Sequence, residues 1–148
     1  MATNNVLLCV GNGDESRADP LARTARELAV PTDAKVTVAH VFTPTEFDSI
    51  LDTLETNPDE ITPDELAERY KPIRSITNLL ADDVRYEVHG ERGTPSPTLL
   101  SLAEELATDY IVVGGRKRSP AGKLVFGSTA QQILLSAPCP VVFVKGDT

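Results

Sequence analysis

Val6-Leu7-Leu8-Cys9-Val10, running straight into Gly11-Asn12-Gly13, and Tyr110-Ile111-Val112-Val113, running into Gly114-Gly115, decide how this chain folds. Short, unbroken apolar runs that stop at glycine read as strands buried on both faces. Strand and helix patterns alternate around them. A helix starts between Ser16 and Pro20, carries Leu21, Ala25, Leu28 and Ala29 inward, and is ended by Pro31. Val36 to Phe42 reads as the second strand. Phe47, Ile50, Leu51 and Leu54 have helical spacing within an acidic stretch from Glu46 to Glu60. That stretch reads as a solvated face, with a lid over the cleft as the alternative. Thr62, Pro63 and Glu65 form a capping-box start for a second main helix with Leu66, Tyr70, Ile73, Ile76 and Leu80 inward, kinked at Pro72.

Val84 to His89 alternates as a third strand. Ser96-Pro97 opens a third main helix on Leu99, Leu102, Ala103 and Leu106. Ser128 and Gln131 read as the capping box of a short fourth helix with Ile133, Leu134 and Ala137 on its apolar side. Pro140 to Val144 closes the chain as a fifth strand. The β-α-β-α-β-α-β-α-β order predicts one α/β domain over residues 1–148: an open, doubly wound, five-stranded parallel sheet with helices on both faces. The first and fourth strands, the most apolar, belong side by side in a strand order of 3-2-1-4-5. The carboxyl ends of those two strands then form the topological switch point, where open α/β sheets bind ligands. The loops there, Gly11 to Ser16 and Gly114 to Gly127, hold six of the nine glycines.

Charge points the same way. The 148-residue chain carries −8, which argues against nucleic acid as a partner. Yet no Asp or Glu stands between Tyr110 and Gly146, a window that holds Arg116, Lys117, Arg118, Lys123 and Lys145. A positive segment on so acidic a chain is where an anionic ligand is expected. Gly127-Ser128-Thr129 adds the free N–H groups and partial positive charge of a helix start, with two hydroxyls. Known phosphate motifs do not fit. A P-loop ending in Gly122-Lys123 needs glycine at 117, and Gly11-Asn12-Gly13 lacks both the third glycine and the acidic ribose partner of a dinucleotide fingerprint.

Other chemistry is thinly supported. His40 and His89 end separate strands without a metal-ligand spacing partner and read as packed or surface imidazoles. There is no G-x-S-x-G elbow and no Ser-His-Asp or Cys-His arrangement, so binding and not turnover is expected. The third strand ends in Val88-His89-Gly90, without the aspartate a phosphoacceptor domain needs. Cys9 and Cys139, both in apolar strand contexts, are expected as free, buried thiols. No apolar run approaches the ~20 residues of a membrane span. The opening Met-Ala-Thr-Asn-Asn lacks the basic and apolar regions of a signal peptide, so a cytoplasmic address is expected.

The stretch from Tyr110 through Gly127-Ser128-Thr129, followed by Ala137-Pro-Cys-Pro-Val-Val-Phe-Val144, resembles the C-terminal signature of the universal stress protein family. The resemblance runs over essentially the whole chain, including Ala39-His40-Val41 at the end of the second strand. It implies a regulatory, stress-response protein that binds ATP or a related adenine nucleotide, through Gly11, Asn12, Val41, Gly114, Arg116, Lys117, Gly127, Ser128 and Thr129. Gly114, Gly127 and Ser128 match the family's phosphate-loop spacing, whereas its second glycine falls on Lys117. The aspartate that nucleotide-binding members carry after the first strand falls on Gly11 or Asn12, with Asp14 slightly later. In the order 3-2-1-4-5 the fifth strand, Pro140 to Val144, is an apolar sheet edge, so a homodimer through it is expected, and the resemblance implies the same pairing. The alternative is an interaction module of the same fold that binds no nucleotide and acts through its dimer or partner surfaces.

Overall fold

The computed structural model describes residues 3–80, 82–115 and 127–146. Five parallel strands form one sheet in the order β3-β2-β1-β4-β5. They are β1 (Asn5–Cys9), β2 (Lys35–Phe42), β3 (Arg85–Arg92), β4 (Tyr110–Gly115) and β5 (Val141–Lys145). β1 lies at the centre, with Leu8 opposite Val38 of β2 on one side and Val112 of β4 on the other. Its apolar run is unbroken because both its faces are covered. Even-numbered β1 residues pack with α1 (Ala18–Ala29), α2 (Pro44–Leu54), α3 (Pro63–Arg69) and α4 (Lys71–Thr77). Odd-numbered ones pack under α5 (Pro95–Glu105) and α6 (Ser128–Ser136). Each face buries its own cluster, which makes this the doubly wound α/β architecture.

Several boundaries move for physical reasons. The second main helix is two helices. At Tyr70 the backbone turns extended (φ −70°, ψ 124°), and α4 restarts with Pro72 in its first turn. Inside one continuous helix Pro72 would lack its N–H and press on the carbonyl four residues back; in a first turn it costs nothing. The Thr62–Glu65 capping box forms in both directions. The one expected at Ser128–Gln131 does not: Gly127 is the N-cap residue and Ser128 already the first helical residue. Leu134 faces out, at 40% exposure, while Ile133, about 100° round the helix, is buried.

α2 is a full eleven-residue helix, capped by Thr43 Oγ1 accepting from the Glu46 amide, and it buries Phe47 and Leu51 but leaves Leu54 exposed. β3 begins at Arg85 and runs to Arg92, because all eight residues of β2 find partners there. Its glycine admits a neighbour: a Cβ on Gly90 would sit 2.0 Å from the Pro63 carbonyl oxygen, so only glycine lets the start of α3 lie on this strand. The Gly90 amide, facing away from β2, donates to Asp64 Oδ1 at 2.7 Å. Cys139 falls in the turn before β5 and is half-buried; both cysteines are free thiols. Burial pushes the Cys9 thiol far above its ordinary range, and it pushes Cys139 up as well.

Candidate functional site

Where β1 and β4 end side by side, with α1 on one face of the sheet and α6 on the other, a cleft of about 550 Å³ opens. One wall comes from the ends of β1 and β2. The Val10 amide donates to the Ala39 carbonyl at 2.8 Å, the last rung between these strands among the described residues. Lys35 and Ala39 both pair toward the β1 side, whereas Phe42 accepts from Gly93 on the β3 side. By the two-residue period of a strand, Val41 therefore turns its own N–H and C=O toward β1. β1 has already ended there, so this donor–acceptor pair faces the cleft. The Val10 carbonyl that would have met Val41 is taken instead by His40 Nδ1, at 2.7 Å.

That contact settles the protonation of one ring nitrogen, since a carbonyl only accepts: Nδ1 carries hydrogen. Nε2 lies 3.0 Å from Glu46 Oε1, which ties the imidazole to α2. Tyr70, aimed here by the break between α3 and α4, stacks on His40 with ring centroids 4.3 Å apart, and its hydroxyl donates to Asn12 Oδ1. Burial, with Glu46 and then Asp14 behind it, pushes the Tyr70 phenol far above its ordinary range.

The floor is a carboxylate held between two glycines. Asp14 is 4% exposed, on a 3-10 turn over Asp14–Arg17. Its Oδ2 accepts from the Gly11 amide at 2.7 Å; its Oδ1 accepts from Arg17 Nε at 2.8 Å and pairs with Nη2 at 2.6 Å. A Cβ on Gly114 would stand 2.7 Å from that Oδ1, so glycine at the end of β4 makes the room. The opposite wall is the start of α6. Gly127, Ser128 and Thr129 line the cleft; among the described residues no side chain caps the first-turn amides, and none stands within 4 Å of where a Gly127 Cβ would be.

Of the residues singled out from sequence, Gly11, Asn12, Val41, Gly114, Gly127, Ser128 and Thr129 all line this cleft. Arg116 and Lys117 lie outside the described residues. Sequence reasoning missed Arg17, passed lightly over Asp14, and placed Glu46 on a solvated face. Glu46 is instead bonded to a buried histidine, its side chain 20% exposed. His40 is packed, as expected, but it is also part of the cleft wall. The Asp14–Arg17 spacing of three was a signal available in the sequence; nothing local announced His40–Glu46.

A doubly wound sheet with a glycine-lined cleft at its switch point defines a class of small-ligand-binding α/β proteins. A family model described as the universal stress protein family matches residues 3–145, and the chain belongs to that family. A universal stress protein of Mycolicibacterium smegmatis is 45% identical over 47 residues, 32% of this chain and 36% of its own length. One from Thermus aquaticus is 32% identical over 78 residues, 53% of this chain and 57% of its own length. The chain thus spans roughly a third to just over half of these two relatives. A putative universal stress protein of Staphylococcus haemolyticus is 25% identical over 144 residues, 95% of this chain and 84% of that one.

Among solved structures, a universal stress protein from Archaeoglobus fulgidus has a TM-score of 0.63 at 27% identity, over 98% of this chain and 100% of that one. The same organism's protein in complex with dAMP scores 0.58 at 22%, over 98% and 100%. An Arabidopsis thaliana family protein with AMP bound scores 0.59 at 18%, over 98% and 93%. The last two likenesses show the shared fold. No helix among the described residues is long and apolar enough to cross a membrane.

Proposed function

We infer that this universal stress protein binds an adenine nucleotide, ATP among them, in the β1/β4 cleft, and that it acts in the cytoplasm through binding, not catalysis. One observation carries the reading: two sets of main-chain hydrogen-bonding groups open into the same cleft from opposite walls. Val41 offers an adjacent donor and acceptor, the pattern along the edge of an adenine base. α6 offers first-turn amides and a positive dipole end, the environment of a phosphate. Buried main-chain groups without partners are costly, so a ligand that meets both sets is stabilising. The dAMP and AMP of the two solved relatives support the choice of nucleotide.

Calorimetric titration of ATP and AMP into the wild type and Gly127→Val tests this. No described residue stands within 4 Å of a Cβ at Gly127, and its extended backbone suits valine, whose branches then stand over the α6 amides. Stoichiometric binding by the wild type and about a tenfold loss in the variant are expected, about 1.4 kcal/mol. No detectable binding by the wild type, or equal binding by both, would remove the reading.

The partner surface in this reading is β5. β4 takes the Pro140 carbonyl and the Gly146 amide, so Val141 and Lys145 turn their main-chain groups outward, where no further strand lies among the described residues. An apolar edge of this kind invites a partner, and two copies joined about a two-fold axis would close both edges. Lys145→Pro deletes one outward amide without touching the β4 ladder. Light scattering should find a wild-type dimer and a monomeric variant; a wild-type monomer at tens of micromolar would count against this edge.

A further inference from the structure

Arg17 is the one lysine or arginine among the described residues that lines the cleft. Its side chain is 15% exposed and is set by three neighbours. Asp14 Oδ1 engages Nε and Nη2. A Cβ on Gly114 would lie 3.0 Å from Nε, and one on Gly146 would lie 2.5 Å from Cδ. The side chain therefore lies across the ends of β4 and β5, on the sheet face opposite α6. A guanidinium has five N–H donors in a rigid fork. Asp14 takes two, which leaves Nη1 and the second Nη2 hydrogen directed away from the carboxylate. Asp14 in turn accepts from the Gly11 amide, so the carboxylate that holds the guanidinium is itself fixed in place.

The sheet order locates what those donors meet. β2, whose Val41 edge meets a base in the reading above, is two strand spacings from β4, or ~10 Å. A nucleotide anchored at Val41 then brings its phosphates between Arg17 on one face and the α6 start on the other. We propose that Arg17 is the phosphate-reading residue of this cleft, with Asp14 positioning its guanidinium, so that affinity follows the ligand's phosphate charge more than its nucleoside. This rests on the nucleotide reading and says which part of the ligand decides affinity.

The test compares adenosine, AMP and ATP against the wild type, Arg17→Gln and Arg17→Lys by calorimetry. In parallel, sodium pyrophosphate is titrated into the wild type while the Arg17 Nε–Hε resonance is followed by NMR. Arg17→Gln should lose about tenfold or more in AMP and ATP affinity, as expected of a charged hydrogen bond, while adenosine changes less than about twofold. Arg17→Lys should recover part of the loss, and pyrophosphate should shift the resonance. Equal losses for all three ligands would make Arg17 a structural brace and overturn the proposal. So would ATP binding by the wild type with an unmoved AMP-to-adenosine ratio in Arg17→Gln, which leaves the nucleotide reading standing. A shifted resonance with no binding of adenosine, AMP or ATP would do the reverse, removing the nucleotide and keeping the anion contact. If Arg17→Gln does not fold, Arg17→Lys and the wild-type resonance decide.

Discussion

The two walls of the cleft are built on opposite plans. On the β1/β2 side, charged and aromatic side chains are already matched: Asp14 with Arg17 and the Gly11 amide, His40 with Glu46 and the Val10 carbonyl, Tyr70 with Asn12. On the α6 side the described lining is Gly127 with the short side chains of Ser128 and Thr129, and among the described residues no side chain caps the first-turn amides. A prepaired wall is rigid and expensive to alter, because removing one partner strands another in a poorly solvated place. An uncapped wall is cheap to alter in the free protein, since water satisfies it until a ligand arrives. Stability should therefore be sensitive to substitution on the prepaired side of the cleft and tolerant of it on the α6 side.

Three substitutions can break that contrast. Asp14→Ala has the largest expected effect. It leaves the half-buried Arg17 guanidinium without its carboxylate, at a cost of about 3 kcal/mol in urea unfolding. A loss below about 1 kcal/mol would mean the pair is solvated and the wall not prepaired. Gly114→Ala should cost about 2 kcal/mol, because the new methyl pushes into Asp14 Oδ1 and Arg17 Nε. A neutral result would show that the pair slides aside freely. Gly127→Ala is the sharpening control. Its backbone (φ −67°) suits any residue and no described residue stands within 4 Å of the new methyl, so unfolding should shift by no more than about 0.5 kcal/mol. A loss as large as at Gly114 would erase the difference between the walls.

The two sheet edges repeat the contrast at lower stakes. β3 is blunted: α3 lies on Gly90, Asp64 occupies an outward amide, and Arg85, Glu87, Glu91 and Arg92 carry charge along it. β5 has Pro140 before it and Lys145 at its end, with apolar residues between. Sequence reading recognised the second edge and overlooked the covering of the first. The reason is that Gly90 meets Pro63 across 27 positions of chain, and no local pattern encodes that contact.

What the sequence determined by itself is the part written in short-range chemistry. Apolar runs broken by glycine fix β1 and β4 as neighbours at the centre, because only strands covered on both faces can be apolar throughout. Alternation of period two and period 3.6 then dictates a parallel, doubly wound sheet, and glycine spacing marks its switch point. Helix ends were less legible. Whether Gly127 or Ser128 caps α6, and whether Pro72 kinks one helix or starts another, turns on a single residue's dihedral angles that packing selects. Tertiary structure alone decided the prepaired wall. Glu46 reaches His40, Tyr70 reaches Asn12, and Arg17 crosses Gly114 and Gly146 only once the strand ends are aligned and the helices docked. Side-chain pairs that cross between elements depend on where two backbones come to rest, and that is fixed by burial over the whole core and not by any spacing along the chain.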